Sequence, residues 1–181
     1  MSSKPSSGIP ERLAAFGFGA ALGLALLASG GAALAAGEAF DRAVRGVAQE
    51  CVNAASTVCA QSAFRLADVS RDGRADQAEL ATLNDRLRVW AQANAATVPQ
   101  ADRQALNLGF VLIDTIGLQN WITLSDTDGD GALTLAEATA DLNLDRRPVP
   151  ELVRTRELVD WPQVRQRFGA MSYIFDYLGV R

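Results

Sequence analysis

Apolar side chains recur at helical spacing along most of the chain. Leu80, Leu83, Leu87 and Trp90 form one stripe, three or four residues apart, with mostly polar residues between them. The same periodicity, read with the proline, asparagine and glycine positions that interrupt it, predicts helices at 38–50, 57–67, 77–96, 98–125, 138–144, 150–159 and 161–169. We therefore expect an all-α fold.

Residues 126–137 interrupt this pattern with oxygen-bearing side chains at regular positions. Oxygen donors stand at the first, third, fifth, ninth and twelfth positions and a glycine at the sixth: Asp126, Asp128, Asp130, Thr134, Glu137 and Gly131. Short carboxylates at every second residue let the backbone curl around a hard cation such as calcium. Glycine permits the sharp turn that this curl requires.

Residues 68–79 repeat the arrangement. The corresponding positions hold Asp68, Ser70, Asp72, Gly73, Asp76 and Glu79. Two stretches with the same constrained positions are unlikely to arise by accident, so we interpret them as a pair of sites.

Both stretches resemble the loops of the EF-hand family of calcium-binding proteins, whose pattern is D-x-[DN]-x-[DN]-G-x5-E. The resemblance implies Ca²⁺ as the bound ion. In the second loop it implies the ligands Asp126, Asp128, Asp130, the carbonyl of Ala132, Thr134 directly or through water, and both carboxylate oxygens of Glu137. In the first loop it implies Asp68, Ser70, Asp72, the carbonyl of Arg74, Asp76 through water, and Glu79.

The first loop departs from the family pattern at several positions. Ser70 supplies a neutral oxygen where a carboxylate or amide is usual, and Ala75 replaces the larger aliphatic residue that Leu133 provides in the second loop. Arg71 and Arg74 place two positive charges beside the first loop, which weakens its attraction for a cation. We expect the second loop to bind calcium more tightly.

The connection between the loops is longer than in the family. Residues 80–125 make 46 positions, where about two dozen are usual. The excess of about 22 corresponds to about 11 residues, or three turns, in each of two helices. We therefore predict an EF-hand pair with elongated connecting helices, whose loops still meet back to back at one end of an antiparallel hairpin.

The EF-hand pair is predicted to occupy residues 37–145, with residues 146–181 forming additional C-terminal helices packed on it. The end of this extension, residues 171–178, is short and rich in aromatic residues. It fits a terminal helix that completes the core. It also fits a built-in ligand lying in the groove between the EF-hand helices, which in calcium sensors receives a helix from a protein partner.

Residues 1–36 have the composition of an export segment. Lys4 and Arg12 precede an apolar run at 13–28, and small residues follow it. We favour a signal peptide cleaved after Ala35 or Ala36. The alternative is an uncleaved N-terminal membrane anchor. Because the composition suggests a bacterial source, we expect a periplasmic or secreted protein, or one anchored in the inner membrane and facing the periplasm.

Cys51 and Cys59 are the two cysteines of the chain. On an unbroken helix, residues eight apart are separated by about 12 Å, which is beyond the reach of a disulfide. A bond between them requires a break near Asn53, Ser56 or Thr57. A disulfide and two buried thiols remain equal alternatives.

Composition narrows the functional classes. The net charge of −4 argues against a nucleic-acid partner, and the absence of histidine excludes an imidazole base or a histidine-ligated metal. We see no catalytic constellation and expect no enzymatic activity. The sequence favours an exported calcium buffer or calcium-stabilised module, with a calcium-dependent sensor or adaptor that binds a protein partner as the alternative.

Overall fold

The computed structural model describes residues 30–173 and residue 175, with side chains from residue 37 onward. Most of the predicted export segment 1–36 therefore lies outside the described residues. The elements in chain order are α1 (Gly30–Asn53), α2 (Ser56–Ala67), β1 (Arg74–Asp76), α3 (Gln77–Ala93), α4 (Gln100–Ile116), α5 (Leu118–Ser125), β2 (Ala132–Thr134), α6 (Leu135–Ala138), α7 (Val149–Arg154), α8 (Trp161–Phe168) and a 3₁₀ turn (Gly169–Ser172). The predicted all-α class is confirmed.

None of the helices in the described part of the chain combines the length and apolarity needed to cross a membrane.

Residues 98–125 do not form the single helix that we predicted. Gly117 separates α4 from α5 and has a φ of 83°, a backbone conformation that side chains with a β-carbon rarely adopt. Its N–H donates to the carbonyl of Ile113 at 2.8 Å and ends α4. The connection between the loops therefore consists of α3, an additional helix α4, and the short α5 that leads into the second loop.

The predicted helix 138–144 does not form, since α6 ends at Ala138, and the predicted helix 150–159 is shortened to α7. Residues 141–143 instead bond to residues 158–160: the N–H of Asn143 donates to Leu158, and that of Asp160 donates to Asp141. Leu142 and Val159 form an isolated antiparallel bridge between these segments. Pairing with a distant segment outweighs local helix propensity here.

The two loops lie next to each other, as predicted. Strands β1 and β2 pair antiparallel, with Ala75 opposite Leu133 and Arg74 opposite Thr134. Both central side chains are buried, so the short sheet joins the loops through main-chain hydrogen bonds and an apolar contact.

The main core lies below this sheet. It combines the apolar stripes of α3, α4, α5 and α8 with the sheet: Leu80, Leu83, Leu87, Phe110, Leu112, Ile113, Ile116, Trp121, Ile122, Leu133, Val164, Phe168 and Phe175. Within the stretch 146–181, Val164, Phe168 and Phe175 thus share one core with the helices that flank the loops, while residue 174 and residues 176–181 lie outside the described residues.

Of the two alternatives for the cysteines, the structure contains the disulfide. Cys51 and Cys59 are bonded, with their Cα atoms 4.5 Å apart, because the helix is interrupted between Asn53 and Ser56. Ser56 is fully buried at this break, and its hydroxyl contacts both the carbonyl and the N–H of Asp145 at 3.0 and 2.9 Å. The disulfide and Ser56 fix α2 at the angle at which it enters the first loop.

Candidate metal centre

The second loop brings three carboxylates together at its N-terminal half. One carboxylate oxygen from each of Asp126, Asp128 and Asp130 lies within 4.8 Å of the others. The N–H groups of Gly129 and Gly131 donate to the two oxygens of Asp126 at 2.7 and 2.8 Å. Gly131 has a φ of 86° at the turn. The carboxylates therefore converge because the backbone folds around Asp126.

Glu137 closes the same loop from the start of α6. Its Oε1 accepts hydrogen bonds from the N–H and hydroxyl of Thr127 at 2.7 and 2.8 Å. Its Oε2 accepts from the N–H and hydroxyl of Thr134 at 2.9 and 2.8 Å. Thr134 is also the N-cap of α6, since its hydroxyl accepts from the N–H of Glu137. The glutamate side chain is thus held across the loop, between its second and ninth positions.

Glu137 is only 7 % exposed. Burial by itself raises the pKa of this carboxyl, but the four hydrogen bonds from Thr134 and Thr127 outweigh burial and lower its pKa to about 2. The group is therefore a carboxylate at any physiological pH. A buried negative charge of this kind favours a nearby cation.

The first loop has the same hydrogen-bond plan in a more exposed setting. Asp68 accepts from the N–H groups of Asp72 and Gly73 at 3.1 and 2.9 Å, and Glu79 accepts from that of Ser70 at 2.7 Å. Asp76 and Glu79 form a reciprocal cap at the start of α3. Glu79 is half-buried, whereas its counterpart Glu137 is buried.

Only the second loop has a close group of acidic ligands. Within the described residues, Asp126, Asp128 and Asp130 are the one set of three acidic side chains whose ligand atoms approach to 4.8 Å. At the corresponding positions the first loop has two acids, Asp68 and Asp72, with the neutral Ser70 between them, whose hydroxyl donates to Asp68 Oδ1 at 3.3 Å. Ala132 and Arg74, whose carbonyls are predicted ligands, lie in β2 and β1, respectively. Thr134 lies in β2 and Asp76 in β1.

The side chain of Arg74, a residue of the first loop, contacts the second loop. Its guanidinium forms an ion pair with Asp130 of the second loop, so the prediction that this charge lies beside the first loop is wrong. The register explains this difference, because Arg74 stands opposite Thr134 and so lies over the second loop. Sequence analysis missed this contact, although the pairing of the two loops at their eighth positions could have predicted it.

Comparison with known proteins gives no relative: neither the family models, nor the curated proteins, nor the solved structures contain a match to this chain. The assignment of the two loops therefore depends on their residues and geometry alone.

The donor set of the second loop fits a hard divalent cation. All its side-chain donors are oxygens, and four of them are carboxylates: Asp126, Asp128, Asp130 and Glu137. Softer metals prefer imidazole or thiolate ligands. The chain has no histidine, and both of its cysteines are consumed in the disulfide.

Proposed function

We propose that the protein binds Ca²⁺ through the loop 126–137 and, more weakly, through the loop 68–79. The convergence of Asp126, Asp128 and Asp130, opposite a buried and charged Glu137, is the observation that carries the proposal. The remaining ligands would be the Ala132 carbonyl and Thr134. In the first loop they would be Asp68, Ser70, Asp72, the Arg74 carbonyl, Asp76 and Glu79.

Calcium chemistry supports this choice over magnesium. Ca²⁺ accepts six to eight oxygen ligands in flexible arrangements, whereas Mg²⁺ requires a near-octahedral set and loses its water molecules reluctantly. A loop that offers four carboxylates together with a carbonyl and a hydroxyl supplies more oxygens than an octahedron holds. Bound calcium would supply charge neutralisation for these carboxylates, and no catalytic step follows from it.

The role that we favour is an exported calcium buffer or a calcium-stabilised module. Phe175 is 1 % exposed and packs edge-on against Phe168, with the ring centroids 5.3 Å apart, so the C-terminal end of the described chain covers the main core. A core that is already covered leaves little apolar surface to uncover when calcium binds. The periplasmic or secreted location remains part of the proposal.

The second candidate is a calcium-dependent sensor or adaptor, and one feature favours it. A cleft of about 180 Å³ lies between α1, α2, α3 and the start of α4, lined mainly by apolar side chains that include Val44, Leu83 and Trp90. This volume suits one aromatic or aliphatic side chain of a partner protein. If residues 1–36 are the uncleaved anchor of the alternative prediction, they would place such an adaptor at a bilayer.

Calorimetric titration of the metal-stripped protein with CaCl₂ tests the proposal. We expect two binding events, the tighter one lost in Asp126→Ala and the weaker one lost in Asp68→Ala. Binding should also raise the melting temperature, because the ion binds the folded chain in preference to the unfolded one. Fluorescence of an apolar dye with and without calcium separates the two roles, since only a sensor would uncover new apolar surface. Absence of both heat and a rise in melting temperature at millimolar calcium would refute the assignment.

A further inference from the structure

A single arginine of α8 contacts both ends of the second loop. Arg167 Nη1 donates to the hydroxyl of Ser125 at 3.1 Å and to the carbonyl of Glu137 at 3.3 Å. Ser125 immediately precedes the loop 126–137, and Glu137 is its last residue. The two residues are 1 % and 7 % exposed, so these contacts lie in the protein interior.

The same guanidinium neutralises a buried acid just beyond the loop. Arg167 Nη1 lies 3.3 Å from Asp141 Oδ2, and the side chains of both residues are at most 10 % exposed. Burial raises the pKa of Asp141 above its usual value, and the Arg167 charge offsets this only in part. The other oxygen, Oδ1, has no hydrogen-bond partner among the described residues. Arg167 is therefore the ion-pair partner of this carboxylate in the described structure.

The position of Arg167 is set by the packing of α8. Val164 and Phe168, on either side of it, are 0 % and 3 % exposed and belong to the main core. The Phe168 ring lies 5.2 Å from that of Trp121 on α5, the helix that leads into the second loop. If α8 moves away from α5, the guanidinium must leave the loop with it.

From these contacts we propose that α8 acts as a latch on the loop 126–137, with Arg167 as the positioning residue that holds the two ends of the loop together. This inference rests on the proposed calcium binding of that loop. A ligand set held in place before the ion arrives loses less conformational entropy on binding. By linkage, calcium in the loop must then stabilise the docking of α8 by the same factor by which docked α8 increases calcium affinity.

The test combines calcium affinity with hydrogen exchange of α8 in the full chain. Replacement of Arg167 alone would leave the buried Asp141 carboxylate without an ion-pair partner and risks unfolding. The test variant is therefore Asp141→Asn/Arg167→Met, which removes both charges and keeps the net charge unchanged. Arg165→Met is the matched control, because Arg165 is an exposed arginine on the same helix.

In the wild type and in Arg165→Met, we expect calcium to slow amide exchange in α8 at least tenfold relative to chelator. In the double variant, calcium affinity of the second loop should fall about 10- to 100-fold, the usual effect of removing a group that supports a metal ligand. The exchange of α8 should then no longer respond to calcium. If Arg167 and Asp141 had only a structural role, amide exchange in α8 of the double variant would be faster by the same factor with and without calcium. Calcium would then still slow exchange in α8.

Three results would overturn the latch. One is wild-type binding of calcium without a change in α8 exchange, and the second is a double variant whose affinity stays within twofold of the wild type. Either of these two results would overturn the latch but not the proposed calcium binding. The third is a wild-type protein that binds no calcium, which overturns the proposed function and the latch together.

Discussion

Replacement of Arg74 by glutamine should strengthen calcium binding at the second loop. Arg74 belongs to the first loop by sequence, but its guanidinium pairs with Asp130, a predicted ligand of the second loop. A calcium ion that uses the Asp130 carboxylate has to compete with this resident positive charge. The variant removes the competitor and leaves the backbone carbonyl of residue 74 available to the first loop.

The size of the effect follows from the exposure of the pair. The side chains of Arg74 and Asp130 are 48 % and 25 % exposed, and an ion pair of this kind contributes about 0–1 kcal/mol. The repulsion between a single positive charge and a divalent ion about 4 Å away adds about 2 kcal/mol at a water-like dielectric constant. A total of about 2–3 kcal/mol corresponds to a calcium affinity about 30- to 140-fold higher.

Competition with a fluorescent calcium chelator measures this change at low ionic strength. Because the guanidinium is half exposed, the difference between Arg74→Gln and the wild type should shrink at about 1 M KCl, where charges are screened within about 3 Å. Arg71→Gln is the matched control, since it removes the same charge from the first loop without touching Asp130. An unchanged or weaker affinity in Arg74→Gln would refute the reasoning, as would an equal gain in Arg71→Gln, which would indicate a net-charge effect.

Three further predictions concern stability. The double variant Cys51→Ser/Cys59→Ser should lose about 2–3 kcal/mol of unfolding free energy in urea, because the disulfide closes an eight-residue loop. The wild type with its disulfide reduced should have the same stability as this variant. Equal stability of all three forms would contradict the prediction. Leu133→Ala should lower the free energy of unfolding by about 2–5 kcal/mol, because Leu133 is 2 % exposed. Val111→Ala should lower it by under about 0.5 kcal/mol, because Val111 is 47 % exposed. Similar losses in both variants would contradict the packing argument. In calcium-free buffer, the lowered pKa of Glu137 stabilises the protein above pH 4.5, and this stabilisation disappears as pH falls through about 2. Urea unfolding between pH 6 and 2 should show a smaller loss for Glu137→Gln, and an identical loss would contradict the prediction.

The sequence was sufficient to locate both loops and to predict that they meet, but the reason that we gave for the meeting was wrong. We assumed that two straight helices were lengthened by equal numbers of turns. Gly117 instead divides the second of them, and α4 becomes an additional helix beside α5. Helical periodicity is nearly the same on both sides of Gly117, so the hydrophobic pattern did not reveal the break.

Contacts between distant residues account for the remaining differences. The disulfide depends on a helix break whose Ser56 bonds to Asp145, 89 positions away. Arg167 reaches Glu137 across 30 positions. Local spacing carries no information on such pairs, whereas the ligand spacing within each loop is local and could be read directly.

The strand pair between the loops also has a consequence for folding kinetics. Ala75 and Leu133, which face each other across the two strands, are 58 positions apart in the chain. Contacts of this separation are slow to form, because loop-closure entropy is lost before the contact gains any energy. We expect the loops to pair after the rate-limiting step, so that an ion requiring both of them binds later still. Calcium should slow the unfolding of this protein while leaving its refolding rate almost unchanged.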